Sequence, residues 1–595
     1  MATMTGRLLR IDLTTGRSWE EEIPETHYRD FLSARGLGMK YLYDELPARA
    51  EPLSADNKLI LGIGILGGTR LQGFSKWSVV TKSPLTGTVM RSVAGGNFGV
   101  WMKRAGYDQI IVEGRADRLS YVHIDPEGVR VLGAAELRGL DPRRVQRTLK
   151  EWHGPQTESA CIGLAGEGLV RYAVITSGER TASRGGVGTV MGAKNLKAIA
   201  INAPLTKWTP HDPVRFAQLA RDQAEMLRTN PRRKTLGTLG TPYITTGLMQ
   251  RGILPVRNFR EGTIAEVEAI SGDEFLKIKD DTAGCYGCMT RCGGMRRVVT
   301  GPWAGGSIDG PEYESIFALG PALGIADRQF ILDANAACDY HGIDTISTGV
   351  AIAFAFELFE RGMITASDTG GLELTWGNQS AAMSLIEKIS LREGIGGELG
   401  EGVKRMAGRF GEDAARFAIH IKGLEIPGYE PRALKGYALS MATSNIGGSH
   451  MYGRPRDELA GKVDPYTEQG KGAAIAEIQK DQAVEDSLIA CTFGNSGLSM
   501  KDYVEFLVAA TGIDALGSVE ELRRAGERIV CLERCFNVRD GFGRKDDALP
   551  ARMREEPLKN AGPATGQVVG DLDGLLDEYY EALGYSREGV PTEEK

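Results

Sequence analysis

A chain of 595 residues with 42% hydrophobic and 25% charged side chains has a soluble globular composition, and its length suits roughly two to four domains with a large core. A net charge of -7, with no basic tail or Lys/Arg block, argues against nucleic acid as a partner. The opening residues lack the apolar stretch of a secretory signal, no apolar run reaches membrane-spanning length, and eight cysteines are too few and too uneven for a disulfide scaffold, so a cytoplasmic protein is expected.

The first two hundred residues read as strand-rich. Strands are predicted at Leu8–Leu13, Leu59–Leu66, Ile110–Glu113, Tyr121–Ile124, Ala173–Thr176 and Ala198–Ile201, punctuated by Pro, Gly and Asp, with one helix among them at Phe98–Arg104. A linker-like run, Asn202–Pro210, follows. Helical apolar spacing then dominates at 211–230, 326–341, 348–362, 380–392 and 397–410. After a Pro/Gly break at Pro427–Pro431, helices are predicted at 471–490, 500–511, 518–535 and 569–583. The expected class is α+β: a β-rich domain over 1–208, a helical domain over 209–425 and a second helical domain over 426–595.

The densest chemistry is Cys285, Cys288 and Cys292, spaced C-x2-C-x3-C among glycines. Close-set thiolates on a tightly turning backbone can wrap a soft metal centre. No histidine lies nearby, so an iron–sulfur cluster with a distant fourth thiolate is favoured over structural zinc. Cys491, in the turn Asp486–Cys491, is a candidate fourth ligand. Cys338, Cys531 and Cys535 read as core residues.

Two glycine clusters stand in the first domain. Ser183–Gly192 carries Arg184, Gly185 and Gly186, and Ala94–Gly99 carries Gly95 and Gly96. Such loops can turn N–H groups and a guanidinium toward phosphate, or simply pack. Neither fits the dinucleotide fingerprint. Asp339–Thr345 reads as a helix exit, with Gly342 as a left-handed cap and Asp339 and Asp344 as acceptors for a heterocycle. Glu312-Tyr313-Glu314 could move protons near a redox centre, or be a solvated helix start. His450 sits in a glycine loop, where a lone histidine is usually structural.

These ordered motifs resemble the tungsten-containing aldehyde ferredoxin oxidoreductases. The resemblance runs from Gly6–Leu13 and Val80–Gly87 through Ala105–Asp108, Arg184–Gly188, the cysteine trio, Gly310–Ser315 and Gly342–Gly349 to Ala442–His450. It implies a β-rich base for the cofactor, covered by two helical domains. It implies one tungsten held by the dithiolenes of two pterins, with molybdenum the alternative metal, and magnesium bridging the pterin phosphates. One 4Fe–4S cluster would be held by Cys285, Cys288, Cys292 and Cys491. The pterins would be gripped by the turns Asp339–Asp344, with Gly342 and Ile343, and Asp486–Cys491, with Ala490. Gly95, Gly96, Arg184, Gly185 and Gly186 would hold the phosphates, and Glu314 and His450 would form the acid/base pair.

The implied reaction oxidises aldehydes to acids and passes electrons to ferredoxin, or to separate iron–sulfur and flavin subunits. The alternatives are a related reductase, such as one acting on an aromatic acyl-CoA, or a non-catalytic electron-transfer subunit. Several positions depart from the family pattern. Lys76 stands for an arginine linking pterin and cluster, Val93 for an asparagine, Tyr452 for a lysine, and Ile489-Ala490 for Gly-Leu. Asp333, Ala336 and Met383 lack the ligand set of the family's dimer-bridging iron, so an oligomer without that iron is expected.

Overall fold

The computed structural model describes residues 3–204 and 208–595. Part of the predicted linker, residues 205–207, lies outside the described residues. The N-terminal region is built on two six-stranded sheets. The strands of the first are β1 (Arg7–Asp12), β2 (Arg17–Glu22), β3 (Leu59–Ile63), β4 (Trp77–Lys82), β5 (Val89–Ala94) and β6 (Gln109–Glu113), in the order β2-β1-β6-β3-β4-β5. Within this sheet only β1 and β6 pair in parallel. The second sheet holds β7 (Ser120–Asp125), β8 (Gly128–Gly133), β9 (Glu158–Cys161), β10 (Ile175–Ser177), β11 (Arg180–Ala182) and β12 (Leu196–Ile201), in the order β11-β10-β9-β12-β7-β8, and there β7 and β12 pair in parallel. Helices dominate the rest, giving the expected α+β class.

Six predicted strands have counterparts here, displaced by a residue or two, and six more escaped the sequence reading. Buried β4 and β5 escaped because they read as WSVVTK and VMRSVA, with polar residues on faces that are nevertheless covered. The expectation of one helix in this region is corrected. Besides Phe98–Arg104 there are helices at Glu25–Phe31, Ala34–Glu45, Pro142–His153, Leu164–Glu167 and Val187–Ala193. Ala34–Glu45 packs on β3 and β4 and is buried on most of its circumference, which erases the one-sided spacing that marks a surface helix. The predicted helix 397–410 is two, Ile395–Leu399 and Val403–Phe410, broken at Gly402 with φ of 89°.

Cys338 is buried, as expected of a core residue. Cys531 and Cys535 are a correction: both are half-buried, on the face of helix Val519–Arg539 that meets Tyr585 and Lys595.

One continuous apolar core runs from Leu9 to Tyr585 across the whole chain. Buried charge also joins its two ends. Arg35 forks onto Glu533 at 2.8 and 2.9 Å and reaches Asp486 at 3.0 Å. A bidentate guanidinium–carboxylate pair fixes orientation as well as distance. The C-terminal helices are thereby tied to the N-terminal region, and the cavity described below is walled by residues from both and from the stretch of chain between them. No helix among the described residues is long and apolar enough to cross a membrane.

Candidate functional site

The cavity has a volume of about 410 Å³ and is lined by residues from Lys76 to Phe493. The structure brings Lys76, Gly95, Arg184, Cys285, Cys292, Glu314, Asp339, Ile343, Asp344, His450, Asp486, Ala490 and Cys491 to its wall. Gly96, Gly185, Gly186, Gly342 and Cys288, also singled out in the sequence, do not line it.

The cysteine trio lies in the connection between two antiparallel strands, Lys279–Ala283 and Gly293–Arg297. Cys491 arrives after helix Lys471–Ser487, and its N–H is anchored on the Gly73 carbonyl at 2.8 Å. Gly95 permits this approach: a Cβ there would lie 2.6 Å from Cys285 Sγ. Burial alone would raise the Cys491 thiol, but the Lys76 ammonium and the N–H groups of Gly494 and Phe493 outweigh it and lower its pKa. Burial likewise opposes the Lys76 charge, yet Cys491 and Cys285 thiolates raise it above the usual lysine range. Burial pushes the Cys288 and Cys292 thiols up. Among the described residues no three His, Cys, Asp or Glu side chains are grouped to hold a single metal ion. A multi-iron cluster places its own inorganic core between the sulfurs, and so asks for wider spacing than one ion does.

The turn at Asp339–Asp344 joins two helices rather than ending one. Gly342 caps helix Arg328–His341 in the left-handed region, at φ 76° and ψ 50°. Asp344 then caps helix Thr345–Glu360, accepting from the N–H groups of Ile346 and Ser347 at 3.2 Å each. Asp344 thus belongs not to the helix exit but to the favourable N-terminal end of the next helix. Asp339 is held protonated, its pKa pushed up to about 8 by burial and by Glu179. Asp486 lies in the last turn of its helix, paired with Arg35 at 3.0 Å and Arg91 at 2.7 Å.

Gly185 and Gly186 serve packing. A Cβ on the first would strike Met90 at 2.2 Å, and on the second the Arg171 carbonyl at 2.1 Å. Arg184 beside them faces the cavity. It pairs with Asp344 at 3.3 Å, donates to the carbonyls of Glu425 and Gly448, and keeps buried N–H groups without a hydrogen-bond partner.

Glu314 and His450 meet at the opposite end. Glu314 begins helix Tyr313–Leu319, but it is no solvated acid: its side chain is 14% exposed and points into the cavity. Oε2 accepts from the Gly428 N–H at 2.7 Å, while Oε1 has no hydrogen-bond partner and stands 3.7 Å from His450 Nδ1. Burial pushes the Glu314 pKa up to about 7. Burial, with Arg184, Arg454 and Arg91, presses His450 down to about 3. Tyr429 stacks on the His450 ring at 6.1 Å. At neutral pH the pair is thus a carboxyl near its midpoint beside a neutral imidazole.

Sequence reasoning missed Arg91, Arg180, Arg232, Arg454, Tyr243 and Tyr429, which line the same cavity. Only Arg91 offered a signal, as a charge inside an otherwise covered strand. Unpartnered buried N–H groups on Arg91 and Arg184 fit an anionic occupant such as a phosphate-bearing cofactor, and Arg454 keeps a further one beside Glu314 and His450.

The family model for the aldehyde ferredoxin oxidoreductase N-terminal domain matches residues 8–203, and the model for domains 2 and 3 matches residues 218–595. A tungsten-containing aldehyde ferredoxin oxidoreductase of Pyrococcus furiosus is 38% identical, over 99% of this chain and 98% of its own. An aliphatic sulfonate oxidoreductase, WOR-like subunit, of the same organism is 32% identical, over 100% of this chain and 96% of its own. Among solved structures, the active-site complex BamBC of benzoyl coenzyme A reductase, in complex with 1,5-dienoyl-CoA, aligns with a TM-score of 0.83 at 25% identity, over 100% of this chain and 96% of that one. The chain belongs to the tungsten-containing aldehyde ferredoxin oxidoreductase family and is an oxidoreductase.

Proposed function

We propose that this chain oxidises aldehydes to carboxylic acids and passes the electrons singly to a ferredoxin or to separate iron–sulfur and flavin subunits. The observation that carries the reading is the Glu314–His450 pair, whose environments drive the two groups in opposite directions within one cavity. Converting an aldehyde and water to an acid releases two protons and two electrons, so the site needs a proton acceptor and a means of polarising the carbonyl. Glu314 Oε1, unpartnered and titrating near neutrality, is suited to take the proton of the attacking water. Neutral His450 is suited to donate an N–H to the carbonyl oxygen, and its arginine neighbours keep it from becoming a competing acid.

When bound, a tungsten–bis-pterin group supplies a two-electron acceptor and a 4Fe–4S cluster a one-electron outlet. Cys285, Cys288, Cys292 and Cys491 would hold the cluster, with Lys76 between it and the pterin. Arg91 and Arg184 would meet the pterin phosphates, together with magnesium. Asp339, Ile343, Asp344, Asp486 and Ala490 would border the pterins.

The likeness to the benzoyl coenzyme A reductase complex supports a second reading, reduction of another substrate such as an aromatic acyl-CoA. Elemental analysis with paired assays separates them. Aldehyde-dependent reduction of benzyl viologen by tungsten-loaded protein is expected. Acyl-CoA-dependent oxidation of the reduced dye, with no aldehyde activity, would favour the second reading.

A further inference from the structure

Beside Glu314 and His450 the cavity wall carries a cation that, among the described residues, forms no ion pair with a carboxylate. Arg454 lines the cavity, and its buried Nε has no hydrogen-bond partner. Three other arginines of the wall are paired. Arg91 meets Asp486 at 2.7 Å, Arg180 meets Asp309 at 2.7 Å, and Arg184 meets Asp344 at 3.3 Å. The groups that act on Arg454 are, in falling order after burial, Tyr429, Tyr437, Tyr243 and Glu314. Three are tyrosine phenols rather than carboxylates, and the fourth is Glu314, whose pKa burial pushes up to about 7. Arg232 also lines the cavity, lies against Tyr243 and repels Arg454 rather than relieving it. A buried charge without a counter-charge is costly, so a site that keeps one is built for an anion that arrives with its ligand.

That anion belongs with the reacting molecule. Arg454 acts on both Glu314 and His450, and the rings of Tyr243 and Tyr429 line the same stretch of wall. Building on the aldehyde-oxidation reading, we propose that Arg454, supported by Arg232, forms an anion subsite beside the Glu314–His450 pair, and that the enzyme selects aldehydes carrying a second, negatively charged group such as a carboxylate. The aldehyde carbon would face Glu314 and His450, and the distal carboxylate would accept the free guanidinium N–H groups.

The test compares 4-oxobutanoate with butanal, which match in chain length, by benzyl viologen reduction with tungsten per chain measured alongside. A charged hydrogen bond typically separates two such substrates by roughly 10- to 100-fold in kcat/KM. The wild-type protein should prefer 4-oxobutanoate by that order. Arg454→Gln should abolish the preference, lowering 4-oxobutanoate oxidation by roughly 10- to 100-fold more than butanal oxidation, with tungsten content unchanged. Arg454→Lys, which keeps the charge, should retain part of the preference and decides the matter if the glutamine variant does not fold. No preference in the wild type, equal loss on both substrates, or loss of tungsten in the lysine variant would overturn the subsite. Tungsten-loaded wild type that oxidises neither aldehyde would instead defeat the aldehyde reading, and the subsite with it.

Discussion

At the cysteine end of the cavity, buried charges are matched. Lys76 faces the thiols of Cys491 and Cys285, Arg180 faces Asp309, and Asp486 faces Arg35 and Arg91. At the Glu314–His450 end the balance is left open. The acid is raised to about 7, the imidazole is pressed down to about 3, and Arg454 has no full counter-charge. The first arrangement suits a permanent occupant, since matched charges hold a fixed geometry. The second suits molecules that come and go and protons that move, because each group there completes its electrostatics only when something binds.

The contrast breaks if changes at the open end remove metal or if changes at the matched end spare it. The largest expected effect is on turnover. Glu314→Gln and His450→Asn should each lower aldehyde oxidation by roughly 100- to 10,000-fold while tungsten and iron per chain hold. Full metal with near-normal rate would take that residue out of the reaction. Cys491→Ala should lose most of its iron and the cluster's EPR signal, against roughly four irons per loaded wild-type chain and no mononuclear iron signal. Asp333 already spends both carboxylate oxygens on Val299, Thr300 and Gln329, which leaves it poorly placed to bind iron between subunits. Unchanged iron in Cys491→Ala, with iron lost in Cys535→Ala, would reassign the fourth thiolate.

A finer effect concerns pH. The folded Glu314 pKa of about 7 lies above the unfolded value of 4.5, so the native state binds this proton more tightly. The stability it contributes is complete below about 4.5 and is lost as pH rises through about 7. In metal-free protein, Glu314→Gln should therefore gain on wild type between pH 5 and pH 8 by on the order of 3 kcal/mol, read by urea unfolding. An identical pH profile for the two proteins would mean that Glu314 is not buried as described. The smallest effect is local. Cys535 accepts the Cys531 S–H, which holds its thiol below the usual range, so it should be alkylated by iodoacetamide ahead of buried Cys161 and Cys338 with no change in rate or metal content. Faster labelling of Cys161 would contradict its burial.

Much of this contrast was legible in the sequence at the matched end and little at the open end. The cysteine spacing, the glycine cap and the acidic residues of the turns advertise themselves because local backbone chemistry demands those residue types in order. Gly342 is the plain case: a glycine directly after a helical run announces a left-handed cap by its residue type and place alone. Arg454, Arg232 and Tyr243 carry no such signature. Their importance arises from burial around a shared space, assembled from segments far apart in the chain, and spacing along a sequence does not encode burial. The same holds for helix Ala34–Glu45, covered nearly all round and so stripped of the periodicity that reveals a helix. Gly185 and Gly186 show that a conspicuous motif also packs closely, against Met90 and the Arg171 carbonyl.

The cavity wall begins at Lys76 and ends at Phe493, with Arg35 clasping Glu533 behind it. Roughly four hundred residues separate the first wall residue from the last, and at roughly 5–20 residues per second a ribosome needs on the order of 20 to 80 s to cover them. Throughout that interval the space does not exist, and Cys285 and Cys292 emerge long before Cys491 can join them. Any resident group must therefore enter a nearly finished chain and cannot be threaded in as the first domain forms. The last wall segment, ending at Phe493, and the Arg35–Glu533 clasp are both completed only after the rest of the wall has been made.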